Sequence, residues 1–204
     1  KDKSQEIVWK KLANGTLEPP DTWEVALSSG SDKKESWTRL LRENKMGAMA
    51  VLRNLRNFQK DDVNENLIWR ALENMNVSRV LPFRFIAAAK YAPHLEPSIE
   101  GAMIRGLKDH RKLSGKTKLL VDASGSMNFQ LSEKSDMRRF DAACGLAILL
   151  REICEDIKIF TFNGPVYKIA PRHGFALRDA MGQPNNGTRL GNAVQEMKKS
   201  GYDR

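Results

Sequence analysis

Leu119-Leu120-Val121-Asp122-Ala123-Ser124-Gly125-Ser126-Met127 decides the fold class of this 204-residue chain. Its apolar start reads as the end of a short buried strand, Lys118–Val121. A tight turn then delivers Asp122, Ser124 and Ser126 at alternate positions, with Gly125 permitting the bend. Downstream, Arg138–Glu155 reads as a helix whose middle is apolar all round, as expected of one covered on several sides. Ile157–Phe162 is a second β-rich run, closed by Asn163-Gly164, and Phe175–Met181 and Leu190–Lys199 have helical spacing. Strand, helix, strand, helix predicts an α/β unit with a mostly parallel sheet over residues 118–204.

Upstream the rules differ. Asp21–Ser28, Met46–Phe58, Val63–Met75, Phe83–Tyr91 and Ser98–Arg111 are helical stretches cut by short polar or proline-containing breaks. Trp37, Leu40 and Leu41 share the spacing of one helix face, and Pro97 suits a first turn. Short helices with no strand between them predict a HEAT-like α-helical repeat segment over residues 1–112. Leu113–Thr117, polar and glycine-containing, is expected to link the two parts. Trp9, Trp23, Trp37 and Trp69 occupy helix-like positions and are expected in the core.

Composition narrows the classes. Apolar residues at 41% and charged residues at 29% describe a globular chain, not a disordered or fibrous one. The longest uncharged apolar run, Ala142–Leu150, is far short of the roughly 20 residues of a membrane span. Lys1–Lys11 lacks the apolar segment of a secretory signal, so a cytoplasmic location is expected. Cys144 and Cys154 fall in one helical stretch, too far apart for a disulfide and without metal-ligand spacing to the histidines. Of the net charge of +9, residues 1–118 carry +7. Such an excess fits a polyanion partner for the first part, or simply a solubilising surface.

One carboxylate and two hydroxyls at a strand's carboxyl end are hard oxygen donors, suited to Mg²⁺ first and to Mn²⁺ or Ca²⁺ next. Asn185-Asn186-Gly187-Thr188, just before the last helix, offers another hydroxyl. An ion held mostly by neutral ligands still attracts an outside carboxylate or phosphate. The plainer alternative is a serine-rich turn that caps the next helix.

The Asp122–Ser126 segment resembles the metal-ion-dependent adhesion site of von Willebrand factor A (vWA) domains. By that resemblance Ser124, Ser126 and Thr188 bind the metal directly and Asp122 acts partly through water. The family's last aspartate follows a further strand, and Asp203 comes too early to be it. Gly47–Phe58, carrying Arg53-Asn54-Leu55, is similar to a helix of the TROVE module, and Pro82-Phe83-Arg84-Phe85 matches the same order. That module is the HEAT-like ring of the Ro autoantigen family, in which a vWA domain follows the ring. A complete member has more helices before Lys1 and more sheet after Arg204, so the chain reads as a fragment. The resemblance implies a non-enzymatic ribonucleoprotein of RNA quality control, holding small Y-type and misfolded non-coding RNAs.

Arg53, Arg56, Asn57 and Lys60 fall at i, i+3, i+4 and i+7, opposite Ala48, Val51, Leu55 and Phe58. Such a basic stripe is a candidate RNA surface, or else a solvated helix face. Arg105, Lys108, Arg111 and Lys112 form a second basic end. No nucleophile–base pair, paired acid and base, or phosphate loop is visible. Two other functions fit less well: a metal-dependent adhesion module on a helical scaffold, and a metal-dependent enzyme, for which Asp122 supplies few carboxylates.

Overall fold

A computed structural model describes residues 3–133 and 135–198. Its helical part runs through α1 (Lys3–Ala13), α2 (Trp23–Ser28), α3 (Lys33–Arg42), α4 (Ala48–Lys60), α5 (Glu65–Asn74), α6 (Pro82–Tyr91) and α7 (Glu96–Leu107). The α/β part follows as β1 (Leu113–Asp122), α8 (Arg139–Ile153), β2 (Cys154–Phe162), β3 (Val166–Lys168), α9 (Gly174–Ala180) and α10 (Leu190–Lys198).

Local chemistry explains the helix starts. Asp32 and Asn64 cap α3 and α5 by accepting from the backbone N–H of Glu35 and Asn66. Pro82 and Pro97 sit in the first turns of α6 and α7, where a missing N–H costs nothing. Within the helical part Trp37 is fully buried, stacked on Trp23 with ring centroids 6.2 Å apart and edge-on to Phe58 at 5.0 Å. Its indole N–H donates to Asp61 at 2.8 Å, so the ring is buried without an unpaired donor.

Only Trp37 of the four tryptophans meets the core expectation fully. Trp23 is partly buried, whereas Trp69 is 42% exposed and Trp9, on α1, is 66% exposed together with Ile7, Val8 and Leu12. Helical spacing identifies a shared face but not whether another element covers it.

β1 and β2 pair in parallel from Leu113↔Cys154 to Asp122↔Phe162, with α8 as the crossover. β3 returns antiparallel to β2 through Asn163-Gly164-Pro165, so the three-stranded sheet is mixed. Leu113–Thr117 is not a linker: it is the first half of β1. Its polar side chains are mostly exposed while its backbone is paired, so the ladder rather than apolar burial holds it extended. A register shift lies between Leu113 and Lys116, and Gly115, at φ 88°, supplies the left-handed residue it contains. Cys154 likewise opens β2 instead of ending α8. Both cysteines are free and buried, and burial pushes the Cys144 thiol up to about 12, leaving it inert at neutral pH. Gly201-Tyr202-Asp203-Arg204, where the sequence pattern places the approach to a further strand, lies outside the described residues.

The two parts share one apolar core, from Trp37 and Phe58 through Phe85 and Ile99 to Phe140, Ile148 and Leu177. α6 packs directly on α8, where a methyl at Gly145 would lie 2.9 Å from the Phe83 backbone nitrogen. Polar ties cross the same seam. Lys90 on α6 pairs with Asp141 on α8, and Arg178 on α9 pairs with Glu96 on α7 at 3.2 Å. The Phe175 N–H donates to Glu100 at 2.5 Å.

Candidate functional site

At the carboxyl end of β1, the Asp122 carboxylate accepts the Ser124 N–H at 2.7 Å, which closes the turn. Ser124 is buried, Ser126 is exposed, and their hydroxyl oxygens stand 3.2 Å apart. Neighbouring ligands on an octahedral Mg²⁺ with bonds of about 2.1 Å sit about 3.0 Å apart, so the pair matches the spacing a hard cation needs. The 185–188 loop is tied alongside. Gly125 N–H donates to the Asn186 carbonyl and Asn185 N–H to the Ala123 carbonyl, each at 3.0 Å. Thr188 lies exposed on that loop.

Asn163, which no sequence motif singles out, adds to this rim. Its amide donates to Asn185, while its Oδ1 is buried without a hydrogen-bond partner among the described residues. A buried unpaired acceptor beside an oxygen-rich turn fits a bound ion or its water. Among the described residues no cluster of three or more His, Cys, Asp or Glu occurs, so a cation here would have Asp122 as its carboxylate and mostly neutral oxygens besides. The donor set therefore fits one small hard cation that keeps room for an outside anion.

On α4, Val51, Leu55 and Phe58 are fully buried and Ala48 nearly so. Arg53, Arg56 and Lys60 are exposed on the other side, and none of the three pairs with a carboxylate among the described residues. Arg56 lies over the Tyr91 ring, 5.5 Å from its centroid. Asn57 is half-buried and donates to Asn54 Oδ1 at 2.8 Å, while Asn54 donates back to the Ala50 carbonyl. Asn57 thus braces the helix and is less available to a ligand than its three cationic neighbours. Arg105, from the second basic group, donates to the Leu72 and Met75 carbonyls at the end of α5, an internal cap rather than a free charge.

The stripe and the oxygen-rich turn therefore belong to one body, on either side of the α6–α8 seam. The family model described as TROVE domain matches residues 9–137. The chain belongs to the TROVE domain family. The match covers the helices from within α1 to α7 and continues through β1 and the turn beyond it. In fold this TROVE chain is similar to the crystal structure of the Deinococcus radiodurans RO (RSR) protein, with a TM-score of 0.60 at 17% identity. The alignment covers 92% of this chain and 49% of that one, so the TROVE chain spans about half the length of the Deinococcus protein. No curated protein matches the sequence. Among the described residues, no helix is long and apolar enough to cross a membrane.

Proposed function

We propose that this TROVE protein is a non-enzymatic RNA-binding protein, part of a cytoplasmic ribonucleoprotein that holds small Y-type and misfolded non-coding RNAs. One observation carries the reading: Arg53, Arg56 and Lys60 stand exposed and, among the described residues, without carboxylate partners on a helix whose opposite face is buried. A rigid helix that presents cations not neutralised by carboxylates, at fixed spacing, holds phosphates without reading sequence, as a binder of many RNAs requires. Asp122, Ser124, Ser126 and Thr188 form a vWA-type site for one divalent cation, most suitably Mg²⁺. That ion takes a carboxylate from a protein partner or a phosphate from the RNA as its outside ligand.

The test changes Arg53, Arg56 and Lys60 together to glutamine, which leaves the buried face intact. Each lost phosphate contact makes the slope of log K against log salt shallower by about 0.7–0.9, so the triple variant flattens it by up to about two units. Affinity falls alike for unrelated RNA sequences. A folded triple variant with wild-type affinity and slope refutes the reading.

A further inference from the structure

Beside the exposed face of α4, a cavity of about 300 Å³ opens where α4 and α6 meet the loop that leads into α8. That volume is at the small end of ligand pockets, fit for one small group rather than a helix or strand. Arg53 from α4 and Arg84 from α6 supply two guanidinium groups. Neither pairs with a carboxylate among the described residues, and Arg84 rests against its neighbour Phe83, 4.9 Å from the ring centroid. Lys90, also at the wall, is already taken by the buried Asp141. Met49, Leu52 and Ala87 give the cavity an apolar side. Ser135 and Asp136, from the other part of the chain, give it hydrogen-bond acceptors, and Tyr91 donates its hydroxyl to Asp136, which fixes that corner.

Guanidinium groups without carboxylate partners among the described residues, apolar side chains and hydrogen-bond acceptors around one cavity are the complement of a nucleotide. The phosphate fits the arginines, the base face fits Met49, Leu52 and Ala87, and the base's amino edge fits Ser135 and Asp136. We infer that this seam cavity takes up one unpaired nucleotide of an RNA strand while neighbouring phosphates run along the α4 stripe. The inference rests on the RNA-binding reading above and adds a site for single-stranded RNA to it. A base-paired nucleotide cannot enter, because its edge is used and its faces are stacked.

The experiment measures fluorescence anisotropy of the whole chain with a short labelled single-stranded RNA of mixed sequence, and with the blunt duplex it forms with its complement. Ala87→Phe fills the cavity and keeps every cation, while Arg84→Gln removes a cation that is not on α4. Each is expected to weaken single-strand binding about ten-fold, the size of one lost base contact, and to leave duplex binding within about two-fold. Thermal melts establish that the variants are folded, and Arg84→Gln carries the test if Ala87→Phe does not fold. If both variants bind the single strand like wild type while the α4 triple variant weakens it, the cavity inference falls and the RNA reading stands. Equal losses for single strand and duplex make Arg84 a general phosphate contact and also overturn the cavity. A wild-type chain that binds neither RNA overturns both.

Discussion

Changing Gly145 to alanine tests whether the helical and α/β parts are welded at α6–α8. Two effects of known size oppose each other. Inside a helix, alanine in place of glycine gains about 0.8–1.0 kcal/mol. Against it, the new methyl carbon would lie 2.9 Å from the Cβ and backbone nitrogen of Phe83 and 3.0 Å from its Cα. Ordinary contact needs roughly half an ångström to one ångström more, and none of the three atoms is at the tip of a flexible side chain, so the helices must part. Overpacking of this kind costs about 1–3 kcal/mol, and separating the helices also loosens the shared core around Phe85 and Phe140. Over most of that range the clash wins, with a net loss of up to about 2 kcal/mol. For a chain of this size that lowers Tm by up to roughly 4–8 °C. Gly101, in the interior of α7, is the control, because a methyl added there meets nothing within 4 Å. There the same substitution keeps its propensity gain and raises Tm by about 2–4 °C. Trimming Phe83 to alanine does not rescue Gly145→Ala, since all three clashing atoms remain. Melting followed by circular dichroism reads all four proteins. A Gly145→Ala chain as stable as wild type, or more so, means the two parts do not meet as described.

Asp141 gives a pH-dependent counterpart. Burial pushes its carboxyl up, but Lys90, the Arg138 N–H and their charges outweigh that and hold it below the usual range. A depressed carboxylate contributes stability that is present above its unfolded value of about 3.9 and is lost as pH falls through the folded one. Asp141→Asn should therefore cost about 2 kcal/mol in urea unfolding at pH 7, with the difference shrinking below about pH 4; a constant difference across that range counts against the pairing. Ser124→Ala combined with Ser126→Ala should abolish Mg²⁺ and Mn²⁺ binding by calorimetry while RNA binding survives; unchanged metal affinity in the folded double variant removes the metal site. Limited trypsin digestion should spare Lys116 and Lys118, whose backbone is paired in β1, and early cutting there would restore a linker.

The features legible in the sequence are those set by local periodicity. Val51, Leu55 and Phe58 recur at helical spacing, so α4 had one apolar side and Arg53, Arg56 and Lys60 had to lie on the other. Leu119–Met127 carries its own strand, bend and hydroxyls within nine residues, so the oxygen-rich turn needed no distant partner to be recognised. Asn57 was legible as a member of the stripe, but its donation to Asn54 one turn back was not, because spacing alone does not say whether an amide turns to its own helix or to solvent.

Whatever depends on a distant segment was decided only by the tertiary structure. Leu113–Thr117 looks like a linker because its side chains are polar, yet pairing with β2, forty residues further on, makes it a strand. Trp9 and Trp37 have similar helical settings, and only the presence of Trp23 and Phe58 around the second distinguishes a buried ring from an exposed one. The seam cavity joins Arg53, Arg84 and Asp136 from three separate segments, and no spacing in the chain announces it. A sequence pattern records which residues share a face of one element. Which faces meet is settled by the packing of all of them at once, because burial and ion pairing are properties of the contact and not of either residue alone.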